Sequence, residues 1–203
     1  MLILRLSLLL TSFNWLIIGC GVSDEPLKQS VVDGNWQSDC NTFINQDSQN
    51  ISQRQMLTFK NGNEIAWQKI VFRDGDCAES NFELSYQGTY ELIVTTVANQ
   101  FQLDFFQDLT LARLTNGNNL APENKLARSC GLIAVEAEAQ YRMQELKPET
   151  DCPFVTREGF FHQNLLSVKD DTLIFATDLN TSGKRPITIE DDSSIAYVRV
   201  EAK

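Results

Sequence analysis

Basic residues are scarce in this chain. Seventeen Lys+Arg stand against 27 Asp+Glu, a net charge of −10 over 203 residues. That balance excludes a nucleic-acid binder, which needs a basic face. Histidine occurs once, at His162, and no two cysteines are spaced CxxC. A zinc site would therefore have poor ligands and poor spacing. No G-x-S-x-G and no Gly-rich phosphate loop is present, so the sequence offers no constellation for an enzyme. There is no repeat with a period of about 20–50 residues, and nothing marks a second domain. What remains is ordinary for a globular protein: 42% hydrophobic and 22% charged residues, which excludes wholesale disorder.

The one long apolar run lies at the start. Residues 1–19 (MLILRLSLLLTSFNWLIIG) carry a single charge, Arg5, followed by an apolar stretch from Leu6 to Ile18. A basic start, an apolar middle and a small residue before the cut are the layout of a secretory signal. The stretch ends in Ile17-Ile18-Gly19-Cys20, which resembles the lipobox of bacterial lipoproteins. The resemblance implies cleavage before Cys20, diacylation of its thiol and acylation of the new amine. A permanent transmembrane anchor is the alternative. It wants about 20 apolar residues and so sits at its lower limit here. Two or three acyl chains hold a protein stably on a membrane. Gly21 rather than Asp follows Cys20, which implies the outer membrane if the host is Gram-negative. Loss of residues 1–19, with Arg5, takes the net charge from −10 to −11. Residues 20–31 then read as lipidated cysteine and tether, and 32–203 as the folded domain.

Cys40, Cys77, Cys130 and Cys152 form an even set once Cys20 is assigned to lipid. Export to an oxidising compartment makes disulfides their expected use. Four cysteines allow three connectivities. Sequential pairing, Cys40 with Cys77 and Cys130 with Cys152, closes modest loops and is the one expected.

The domain reads mostly as β, with strand-like runs between Gly, Asn and Asp turns. Expected strands are 31–38, 54–60, 63–73, 81–87, 88–97, 101–114, 160–169, 172–177 and 195–201, with 39–53 as a loop. Asn61-Gly62 is the strongest hairpin signal. The segment 132–146 is ambiguous. Its composition favours helix, but its alternation through Ile133, Val135, Ala137, Ala139, Tyr141 and Met143 favours strand. A strand is expected there, with a helix across one barrel mouth as the alternative. The sum is an all-β, antiparallel barrel of about 8–10 strands.

Gly34-Asn35-Trp36 resembles the G-x-W of lipocalins and related calycin barrels. In that family the Trp plugs the closed end and an Arg near the last strand packs over its ring. Arg199 in Ala196-Tyr197-Val198-Arg199 is the matching residue, so Gly34, Trp36 and Arg199 are the expected barrel-closure set. The chain also resembles a loose group of bacterial lipocalin-like lipoproteins of uncharacterised activity. The shared pieces include GNWQSDC, Gly88-Thr89-Tyr90, Cys130-Gly131, LIFAT, Arg185-Pro186 and a terminal Tyr-x-Arg.

The candidate chemistry is sparse. His162 reads as a hydrogen-bonded structural histidine rather than a general base. Asp170-Asp171 and Glu190-Asp191-Asp192 could offer oxygens to Ca²⁺, though solvated turn acids are far commoner. No metal and no cofactor is expected. The aromatics carry more: Trp67, Phe101 and Phe105 sit on strands apolar on both faces, and are the candidates to line a ligand pocket. The expected function is thus a non-enzymatic, lipid-anchored envelope lipoprotein binding a small apolar ligand. The alternative is a protein-binding envelope module (adhesin, protease inhibitor or stability factor) using loops 39–53 and 116–130.

Overall fold

The computed structural model describes residues 31–44, 50–72, 74–115, 129–132, 136, 138–146, 152, 158–177, 185–189 and 194–201. Among them run ten strands and one helical turn: β1 Gly34–Ser38, β2 Asn41–Ile44, β3 Asn50–Lys60, β4 Glu64–Phe72, β5 Ser80–Val94, β6 Gln100–Leu114, β7 Gln140–Arg142, α1 Met143–Leu146, β8 Phe160–Lys169, β9 Thr172–Phe175 and β10 Ile195–Val200. They form one antiparallel sheet closed into an eight-stranded, lipocalin-like barrel. β3, β4, β5, β6, β8, β9 and β10 follow one another round the wall. β1 closes the ring by pairing with both β10 and β3. β2 continues β1 along β3, and β7 lies ahead of β8 along β6. Where consecutive strands pair antiparallel, as β3 with β4, β5 with β6 and β8 with β9, short turns suffice to connect them.

Alternation sets which side chains face inward. On β4, Ile65, Trp67, Lys69 and Val71 are buried between half-buried Ala66, Gln68 and Ile70. On β6, Phe101, Leu103, Phe105 and Gln107 are buried and Phe106 is exposed. The register between β5 and β6 then shifts: Gln87 pairs with Leu109, but Gly88 with Gln107. Asp108 is the extra residue, and the buried set moves to Thr110, Ala112 and Leu114. Such a bulge bends the wall and adds twist. Gly88 permits it, since a Cβ there would lie 1.9 Å from the Phe106 carbonyl oxygen.

The two ends of the barrel differ. One end is closed by short turns at 61–63, 95–99 and 170–171. The other receives all the long connections. Cys40–Cys77 ties the β1–β2 junction to the β4–β5 connection, and Cys130–Cys152 ties two of the long connections together. In the β4–β5 connection the Asp74 carboxylate accepts from the backbone N–H of Asp76, Ala78 and Glu79 at 3.2, 3.1 and 2.8 Å. These bonds, that from Ala78 foremost, hold its carboxyl below its ordinary range. Cys130, Leu132 and Met143 are buried in the same core as the barrel strands. Gly131 passes so close to α1 that a Cβ would lie 2.2 Å from the Leu146 carbonyl oxygen.

Several expected elements are corrected. The segment 132–146 is not a continuous strand: among its described residues only Gln140–Arg142 joins the sheet, followed by α1. Glu138 takes a left-handed φ of 65°, which breaks an extended run, while its N–H bonds the Leu114 carbonyl at 2.8 Å. Much of the expected loop 39–53 is strand, since polar Asn, Gln and Ser residues are tolerated on a wall that faces water on one side. The two strands expected over 81–97 are one bulged strand ending at Val94. The first strand begins at Gly34, not at Val31.

Candidate functional site

Two regions of the barrel hold residues singled out by sequence, and a third emerges from the structure. The first is the short-turn end. Gly34 adopts φ +123°, and a Cβ there would lie 2.8 Å from the Arg199 Nη1. The space a side chain would take is thus left to the arginine. Register sets Trp36 opposite Arg199, and the guanidinium carbon sits 4.2 Å from the Trp36 ring centroid. Arg199 also donates to the Asp33 carbonyl at 2.6 Å and the Val31 carbonyl at 3.3 Å, and lies 3.5 Å from the Asp171 carboxylate. Trp36 is fully buried and donates its indole N–H to the Val32 carbonyl at 2.7 Å. Beneath them Tyr90 is buried edge-on to Phe59. Burial, with the Asp33 carboxylate nearby, pushes the Tyr90 phenol up to about 12.

The second region is the interior, where Trp67, Phe101 and Phe105 lie. Trp67 stacks on Tyr86 at 4.5 Å, and Phe105 stacks on His162 at 5.0 Å and 13°. Phe160 meets the same imidazole edge-on at 4.7 Å. Trp67 and Phe105 have 0% exposure and Phe101 8%. A surface with no accessibility borders no space that a water could occupy. Polar groups complete the packing. Gln55 accepts from the Trp67 indole at 3.0 Å and from the Tyr197 hydroxyl at 2.8 Å. His162 Nε2 lies 2.7 Å from Gln107 Oε1. Lys69, 1% exposed, sets its ammonium 5.1 Å from the Trp67 ring. Gln55, Lys69 and Gln107 are functional-looking groups that composition alone passed over. Their inward parity beside Leu57, Trp67 and Phe105 was the available signal.

The third region is the outer wall at the β5–β6 bulge, and it was not singled out by sequence. Bending at Gly88 opens a groove of about 450 Å³ lined by Lys60, Glu64, Ala66, Gln87, Thr89, Asp108 and Leu109. Thr89 pairs with Phe106, and Phe106 pairs with Phe161 across to β8. These two phenylalanines stand 44% and 48% exposed, side by side on the water-facing wall. Farther along the same wall Arg185 donates to Gln102 Oε1 at 2.8 Å and forms a close ion pair with Asp104.

No family model and no curated protein matches this chain. Cys20, the signal segment, residues 116–128 of the expected binding loop 116–130 and the acids 190–192 lie outside the described residues. Asp170 and Asp171 form the β8–β9 turn. Among the described residues no group of three or more His, Cys, Asp or Glu side chains is placed to hold a metal ion.

Proposed function

We propose that this chain is a non-enzymatic, lipid-anchored envelope protein whose barrel is a packed scaffold and whose outer wall binds another protein. The lipobox-like Ile17-Ile18-Gly19-Cys20 supports the anchor, and paired cysteines support an oxidising compartment. One contrast carries the binding reading. Trp67 and Phe105, the aromatics best placed to receive a ligand inside, have no accessible surface, whereas Phe106 and Phe161 stand half-exposed beside a groove. Aromatic clusters rimmed by polar groups are the usual anchors of protein interfaces. The groove offers Glu64 and Asp108 against Lys60, on a chain of net charge −10. A partner segment presenting an apolar side chain between basic residues complements it.

The test is site-specific photo-cross-linking from positions 106 and 161 in intact cells. It is followed by binding of the purified, cross-linked partner to the parent protein and to the Phe106→Ser, Phe161→Ser double variant. One discrete partner, bound at least about tenfold more weakly by the double variant and more weakly at high salt, supports the reading. The small-ligand reading wins instead if protein lacking Cys20 shows saturable quenching of tryptophan emission by fatty acids. That result would mean the Trp67–Phe105 interior opens to admit them.

A further inference from the structure

The short-turn end of the barrel carries an uncharged apolar projection. From Leu92 to Gln102 the chain has no charged side chain. β4 begins at Glu64, opposite Thr89, and the Tyr90 N–H bonds the Asn63 carbonyl in the β3–β4 turn. Beyond that point β5 pairs with β6 alone. Residues 91–94 therefore carry the hairpin on the order of 13 Å past the β3–β4 turn, at the usual rise of a strand. At its tip Ile93, Val94 and Val97 are 39%, 47% and 56% exposed. The turn bonds part of its own polar groups internally. The Thr95 N–H donates to the Gln100 carbonyl at 3.2 Å, and the Gln100 N–H to the Val97 carbonyl at 3.2 Å. The Thr95 hydroxyl accepts from the Val97 N–H at 3.1 Å and lies 3.1 Å from the Gln100 carbonyl. An apolar tip with part of its polar groups already bonded loses less on leaving water.

The chain also reaches the barrel at this end. Arg199 holds the carbonyls of Val31 and Asp33 beside Trp36, and Val31 is 39% exposed. Cys20 is eleven residues before Val31. That length spans at most about 36–40 Å and averages about 17–20 Å as a random chain. β6 alone has 15 residues, about 50 Å of strand. With the other end toward the membrane, the tether would be spent running past the wall.

We infer that the β5–β6 hairpin rests on the bilayer to which Cys20 is acylated. The barrel stands with its short turns down and its disulfide-tied connections away from lipid. This rests on the lipid-anchor reading above. The neighbouring β8–β9 turn carries exposed Lys169, Asp170 and Asp171, which confines the contact to the β5–β6 hairpin.

The test uses full-length protein, processed and acylated in cells, then reconstituted into phosphatidylethanolamine–phosphatidylglycerol vesicles with brominated acyl chains. Val97→Trp places a reporter on the tip, with Ile93→Trp as a second. Ala78→Trp, exposed in the β4–β5 connection, reports on the opposite end. Buried Trp36 and Trp67 supply a common background. Bromine should quench the tip reporters several-fold more than Ala78→Trp. Equal quenching at both ends, in protein that floats with the vesicles, overturns the orientation. Protein that does not float overturns the lipid anchor itself, and the orientation with it.

Discussion

Arg199 joins the two ends of the chain, bonding carbonyls 166 and 168 residues away while covering the Trp36 ring. A cation over an aromatic face contributes about 0.5–2 kcal/mol, and its hydrogen bonds add to that with a discount for partial exposure. Arg199→Ala should lower the unfolding free energy in urea by about 1–3 kcal/mol. Lysine at the same position should restore only part, because a point charge cannot both stack and bond two carbonyls. Both partners were legible in the sequence as Gly34-Asn35-Trp36 and Tyr197-Val198-Arg199. Tyr90 was not, because its neighbour Asp33 lies far off in the chain. Its phenol holds its proton in the fold up to about pH 12, whereas the unfolded chain releases it near 10. Between those values the folded state binds more protons than the unfolded one, so stability is full below pH 10 and falls as pH rises toward 12. Urea midpoints measured from pH 8 upward should show that decline. In Tyr90→Phe the part due to this phenol should be missing.

At the scale of elements, the β5–β6 pair explains most of the departures from expectation. Glycine and a polar residue at Gln87-Gly88 read as a break between two strands. The pair instead accommodates Asp108 as a bulge and keeps going to Val94. Periodicity cannot tell a bulge from a turn, because both interrupt alternation for a residue or two. The same bulge opens the outer groove, so the candidate binding surface was hidden by the same ambiguity. Gly88→Ala should lower stability by about 1–3 kcal/mol through its clash with the Phe106 carbonyl. It should also alter the groove, read as a chemical-shift change at Thr89 and Phe106. The segment 132–146 failed for another reason. Its alternation is real, but a strand needs an unpaired neighbour. β7 finds β6 free only at Leu111–Arg113, ahead of the stretch β8 occupies.

For the whole molecule, sequence alone marked the strand-rich class and put Ile65, Trp67 and Val71 on one face of their strand, and it favoured, among three connectivities, the sequential cysteine pairing that the structure shows. Those features are local: alternation, turn residues and loop lengths are written in neighbouring positions. The strand register of the ring's closure, in which β1 pairs with β3 as well as β10 and sets Trp36 opposite Leu57 as well as Arg199, was beyond it. So were the packed state of the interior around Trp67, His162 and Phe105, and the half-exposure of Phe106 beside Phe161. Whether an aromatic residue faces a cavity, a core or water depends on side chains brought from distant strands, and only the tertiary structure brings them together.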